Sequence, residues 1–163
     1  MTRGGATDPG AERHQILRAL REQVIKHPAI TAARGHPEAE YSEVDAELDP
    51  AYFGRTADSA TLRITWYPIP DAEADSVLPD HPRTNFQATF KFHYSESTGY
   101  DCGFHNEPNS HVEGWFHFQD RPSPNISYDY ERAELAARTP VSALWELLDK
   151  LEERLRDSET PAE

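Results

Sequence analysis

The sequence predicts an α+β fold: a meandering antiparallel sheet of about six strands, with an N-terminal and a C-terminal helix packed on its apolar face. Three observations carry this expectation. Short runs of apolar–polar alternation succeed one another from residue 38 to residue 131, and period two is the mark of half-buried strands. Helical spacing occurs only at the two ends of that region, so the helices flank the strands instead of alternating with them. The aromatic residues, 3 Trp, 7 Tyr and 7 Phe, fall largely in the alternating positions, which supplies a core in spite of a high net charge.

The elements follow in order. Residues 1–10 read as a flexible tail. Over 11–27, Ile16, Leu17, Leu20 and Val24 share one face at helical spacing, and Pro28 marks the stop. Val44, Ala46 and Leu48 alternate with Glu43, Asp45 and Glu47 in a strand within 38–49, and Leu62, Ile64 and Trp66 repeat the pattern over 60–67. Residues 68–84 carry Pro68, Pro70, Pro79 and Pro82 among acids, which predicts an exposed insertion. In 85–94, Phe86, Ala88, Phe90, Phe92 and Tyr94 take one face; Gln87, Thr89, Lys91 and His93 take the other. Tyr100, Cys102 and Phe104 continue the apolar face after a turn. Both sets must reach the same core, so the loop needs an odd number of residues. A three-residue loop, Ser97-Thr98-Gly99, fits, because Gly99 suits the left-handed position of a bulged hairpin. That register sets His93 opposite Gly103 and Lys91 opposite His105; a five-residue loop would set His93 opposite Asp101. Further strands are expected over 112–119, with Phe116 and Phe118 inward, and over 125–131, with Ile126, Tyr128 and Tyr130 alternating. The last helix starts at an N-cap Thr139 followed by Pro140 and buries Val141, Leu144, Trp145, Leu148, Leu151 and Leu155. Residues 11–156 thus form one domain, and 157–163 a second tail.

The strand phases have a chemical consequence. Four of the eight histidines lie between 93 and 117. His93, His105 and His117 fall on the non-core face with Lys91, Asp101 and Trp115, while His111 and Asn109 sit in the loop beside them. Adjacent strands are about 4.8 Å apart, so such side chains can converge. Paired imidazoles serve as general acid and base near neutral pH, with Lys91 available to an anionic transition state. Alternatively, the imidazoles with Asp101 or Glu107 could hold zinc or another divalent ion, although the 105/111/117 spacing matches no standard zinc motif. In a third reading the histidines merely occupy a solvated face, with Asn109 serving turn geometry. Trp115 is a candidate stacking platform. Cys102, between inward-facing Tyr100 and Phe104, is expected to be a small buried hydrophobe and not a nucleophile.

Composition narrows the setting. The chain has 29 Asp+Glu against 16 Lys+Arg, a net charge of −13, and only Lys26, Lys91 and Lys150 are lysines. In molar salt the Debye length falls to about 3 Å and such self-repulsion is screened. This points to a salt-adapted cytoplasmic protein, and it removes the usual inference that an acidic chain avoids nucleic acid. A single cysteine excludes an internal disulfide. No run approaches the roughly 20 apolar residues of a membrane span, and no glycine-rich phosphate loop is present; no cofactor is expected.

The segments Ala60–Tyr67, Phe90–Tyr94, Cys102–His111 (CGFHNEPNSH), His117-Phe118 and Leu144–Arg156 resemble a group of small haloarchaeal proteins. More distantly the pattern is similar to TumE-type toxins of two-gene toxin–antitoxin systems. In that group a strand ending His-Tyr is followed by a Cys-Arg-Trp-Asp-like strand, Pro-Asn-x-His and His-Phe-His. This chain has Gly103-Phe104-His105 in place of the basic-Trp-Asp and Gln119 in place of the last histidine. His93, Pro108, Asn109, His111 and His117 match. The resemblance implies a toxin-like effector, with metal-independent ribonuclease chemistry on His93, His111, His117 and Lys91. His105, Asp101, Asn109 and Trp115 would assist in binding, and RNA or an antitoxin-like protein would be the partner. The alternatives are a non-enzymatic interaction module and a histidine-based metal site.

Overall fold

The computed structural model of this protein describes residues 8–69, 88–112 and 114–158. The insertion expected over 68–84 lies, from residue 70 onward, outside the described residues, as do Phe86, Glu113 and most of both expected tails. Among the described residues, seven strands form one antiparallel sheet: β1 Ile30–His36, β2 Glu43–Leu48, β3 Ala60–Pro68, β4 Ala88–Glu96, β5 Asp101–Asn106, β6 Phe116–Arg121 and β7 Asp129–Arg132. Their spatial order is their chain order, β1 to β7. Helices α1, Pro9–Val24, and α2, Pro140–Ser158, come from the two ends. Among the described residues, no helix is long and apolar enough to cross a membrane.

The α+β architecture is the expected one, with one strand more than the alternation indicated. β1 escapes a period-two reading because its register shifts between Ile30 and Ala32. Ile30 and Ala33, three residues apart, are therefore the pair that faces inward, as a bulge allows. Each helix is started by its own side chain. Asp8 accepts from the Ala11 N–H at 3.2 Å, so α1 begins within the expected tail. Thr139 accepts from the Ser142 N–H at 3.1 Å, and α2 runs on to Ser158. Such caps contribute about 1 kcal/mol apiece. Leu17, Leu20 and Val24 of α1 are fully buried. Leu147, Leu148 and Leu151 of α2 rest on Leu62, Phe92 and Phe104 of the sheet. Each such leucine contributes about 1.5–3 kcal/mol by leaving water. Trp66 and Phe90 stack at 4.7 Å inside this core.

The β4–β5 hairpin is the element on which the site depends. Gly99 has φ of 97°, a value that strains any residue with a Cβ, and the three-residue loop forms. His93 consequently pairs with Gly103 and Lys91 with His105. The five-residue alternative is excluded. With the register so set, Phe90, Phe92, Tyr94, Cys102, Phe104, Phe116 and Phe118 all turn toward the helices and are buried. The side chains between them turn to the opposite face.

Candidate functional site

That opposite face is concave. A cavity of about 600 Å³ lies over β3 to β7, lined among others by Arg63, Tyr67, Lys91, His93, His105, Glu107, Tyr128 and Tyr130. Its floor is a chain of hydrogen-bonded titratable groups. His93 lies across Gly103, where a Cβ would come within 2.5 Å of the His93 Nδ1, so glycine is what lets the ring settle between its two neighbours. On one side, His93 Nε2 is 2.8 Å from Asp101 Oδ1. On the other, His93 Nδ1 is 3.0 Å from His105 Nε2. His105 Nδ1 in turn lies 3.3 Å from Glu107 Oε2, and Lys91 Nζ is 3.7 Å from the other Glu107 oxygen.

Asp101 anchors the chain. Tyr128 O–H donates to its Oδ1 at 2.6 Å and Arg121 Nε donates to its Oδ2 at 2.8 Å, while the guanidinium stacks on the Tyr128 ring at 4.3 Å. Burial pushes the Asp101 carboxyl up, but the bonds from Tyr128, Arg121 and His93 outweigh it and hold the group below the ordinary carboxylate range. Burial beside this carboxylate pushes the Tyr128 hydroxyl up to about 12. Burial also lowers both imidazoles, and the charge of His105 lowers His93 further. Glu107 is held low by the His105 ring, against the effect of its own burial, and Lys91 adds to this.

The expected site residues separate into those that share this floor and those that do not. His93, His105, Lys91 and Asp101 are joined as described. His117 is on the expected face, with its ring centroid 5.6 Å from that of His105, but it is fully buried. Its Nδ1 lies 3.0 Å from the Trp115 carbonyl and its Nε2 3.0 Å from Gln119 Oε1, so the direct contact with a substrate expected of it is closed off. His111 is exposed and stacks on Tyr130, a residue of the cavity lining, at 4.5 Å and nearly parallel. Asn109 lines the cavity and its Oδ1 accepts from the His111 N–H at 2.7 Å. Trp115 is buried and offers no stacking platform. Cys102 is the buried hydrophobe expected, its thiol pushed up to about 12 by that burial.

Among the site residues not singled out from sequence are Arg121, Tyr128, Tyr130 and Gln119. The tyrosines are the instructive ones. Their alternation reads as apolar, yet they point to the histidine face, while Glu131, the residue after Tyr130, meets Arg154 of α2 on the helix side. A phenol is apolar along its ring and polar at its tip, so alternation alone does not choose its side. The signal that does is Glu131, whose acceptor is matched by a cation on the last helix. Chemically, the floor offers imidazoles between two ionised carboxylates, open to a cavity edged with cations and phenols. No family profile, curated protein or solved structure matches the chain.

Proposed function

We propose that this concave face is the reactive cleft of a toxin-like effector that cleaves RNA. The observation that carries the reading is the His93–His105 contact of 3.0 Å, flanked by Asp101 and Glu107, at the floor of an open cavity of about 600 Å³. Acid–base work needs groups of this kind within hydrogen-bond reach of a substrate. The rim suits a single-stranded polynucleotide: Arg63 and Lys91 offer charge to phosphates, and Tyr67 and Tyr128 offer rings on which bases stack. Arg63 is held only loosely, at 3.5 Å from Asp45 and 3.8 Å from Glu43, so it is available to an anion. The acidic surplus fits a salt-rich cytoplasm, in which short-range contacts in the cleft outweigh the long-range repulsion of the whole molecule.

Expression in a host cell is expected to arrest growth, and purified protein in molar KCl to cleave single-stranded RNA. His93→Ala and His105→Ala are expected to relieve the arrest. Variants as harmful as the native chain, or RNA left intact by folded native protein, would remove the reading.

A further inference from the structure

The geometry points to a divalent transition-metal site, of the kind zinc occupies, on His105, Glu107 and His117. It lies at the floor of the same cleft and rests on the reading above only in adding an ion to that cleft's chemistry. Its basis is a count of protons. The Asp101 carboxylate can only accept, so His93 donates to it from Nε2 and leaves its Nδ1 bare. His105 meets that bare nitrogen with its own Nε2–H at 3.0 Å. A neutral imidazole then has no proton on Nδ1, so the 3.3 Å approach of His105 Nδ1 to the Glu107 carboxylate is a hydrogen bond when His105 carries a second proton and otherwise calls for another cation between the two. His117 repeats the arrangement. The Trp115 carbonyl can only accept, so His117 donates from Nδ1 and its Nε2 is the bare atom. Gln119 Oε1 lies 3.0 Å from that Nε2, a contact between two acceptors that a cation between them would satisfy; with the amide turned over, its N–H would donate to Nε2 instead.

One ligand atom from each of His105, Glu107 and His117 lies within 4.8 Å of the other two. A cation belongs among them. One proton bridges a single pair and leaves the third residue out, whereas a metal ion takes all three. With bonds of about 2.1 Å, a tetrahedral ion spaces its ligands about 3.4 Å apart; His105 Nδ1 and Glu107 Oε2 are already 3.3 Å apart. Closing any pair to that spacing takes a side-chain adjustment of at most about 1.4 Å. The surroundings also match a metal centre, where each ligating imidazole donates its other N–H to a carbonyl, a carboxylate or a relay toward one. His117 donates to the Trp115 carbonyl, and His105 donates through His93 toward Asp101. Two nitrogens and one carboxylate favour zinc and its neighbours over magnesium or calcium. Three protein ligands leave a position for water, as in hydrolytic and not structural zinc sites.

The test uses the untagged full chain, purified in molar KCl and stripped with a chelator. Zinc alone is titrated by calorimetry, and cobalt(II) alone by its visible absorption. One equivalent should bind, with cobalt giving the intense bands of a tetrahedral or five-coordinate site. Glu107→Gln, which preserves shape at a half-buried position, should weaken binding at least about tenfold, and His93→Ala by about 10–100-fold through loss of orientation. Circular dichroism should be unchanged in both. Absence of saturable binding, or Glu107→Gln binding as tightly as the native chain, would overturn the site. One equivalent bound while RNA stays intact upholds the ion site and removes the nuclease; RNA cleaved at full rate by stripped protein that binds no zinc does the reverse.

Discussion

Replacing Asp101 by Asn tests the anchor of the cleft floor with almost no change of shape. His93 and Tyr128 both donate to Oδ1 and Arg121 donates to Oδ2. An Asn that keeps its oxygen in the Oδ1 place continues to accept from His93 and Tyr128. Its NH2 then meets the Arg121 Nε–H, donor against donor. One hydrogen bond between charged groups is lost, about 1.5–3 kcal/mol. The Arg121 side chain is 27% exposed and can turn to water, so the loss should fall near 2 kcal/mol, or about 4–8 °C in Tm for a domain of this size. The pH dependence is the sharper part. The folded Asp101 carboxyl lies below its ordinary value of 3.8, so its contribution is complete above that value and lost as pH falls through the folded value. The gap between native and variant should therefore be full near neutral pH and should shrink steadily below about pH 4. Urea denaturation in molar KCl, followed by tryptophan fluorescence at neutral pH and around pH 3, measures both. A gap that persists unchanged in acid, or none at neutral pH, would refute the account of Asp101 as an ionised anchor.

Three further outcomes are expected. Arg55→Ala removes a bidentate partner of buried Glu96, which Arg55 meets at 2.5 and 3.0 Å. Urea midpoints should show a loss of about 3 kcal/mol, at the lower end for a broken buried pair because Tyr94 and Thr98 still donate to the carboxylate. Gly103→Ala places a methyl 2.5 Å from His93 Nδ1 and 2.8 Å from the Phe92 carbonyl; thermal melting should show a loss of about 1–3 kcal/mol from overpacking. Cys102, fully buried with its thiol near 12 against an ordinary 9, should react with a thiol-specific disulfide reagent about a thousandfold more slowly than a free thiol until urea unfolds the chain.

The strand phases were legible because aromatic rings are costly to leave in water. Phe90, Phe92, Phe104 and Phe118 fix one face, and geometry then sends Lys91, His93, His105 and His117 to the other. Register was legible at the β4–β5 hairpin, whose three-residue loop puts Gly99 in the position that needs it. What sequence could not convey is the second layer on the histidine face. Whether His117 meets solvent depends on where the loop after β5 and the tyrosines of β7 come to rest, which is a matter of contacts between segments and not of local periodicity. β1 was hidden for a different reason, since a bulge replaces period two by a three-residue interval. Asp101 was legible as a neighbour of the histidines, but its three donors come from β4, β6 and the approach to β7, and no local pattern joins them.

A sheet whose spatial order copies its chain order can assemble strand by strand as the polypeptide leaves the ribosome. Its aromatic side, however, is roofed in part by the last element made, since Leu147, Leu148 and Leu151 lie over Leu62, Phe92 and Phe104. Until residues 140–158 emerge, those rings lack that cover. Synthesis thus passes through a stage in which a tacky, half-built molecule needs either shielding by chaperones or fast completion. A stop codon placed before Pro140 should yield aggregates and not a smaller working protein.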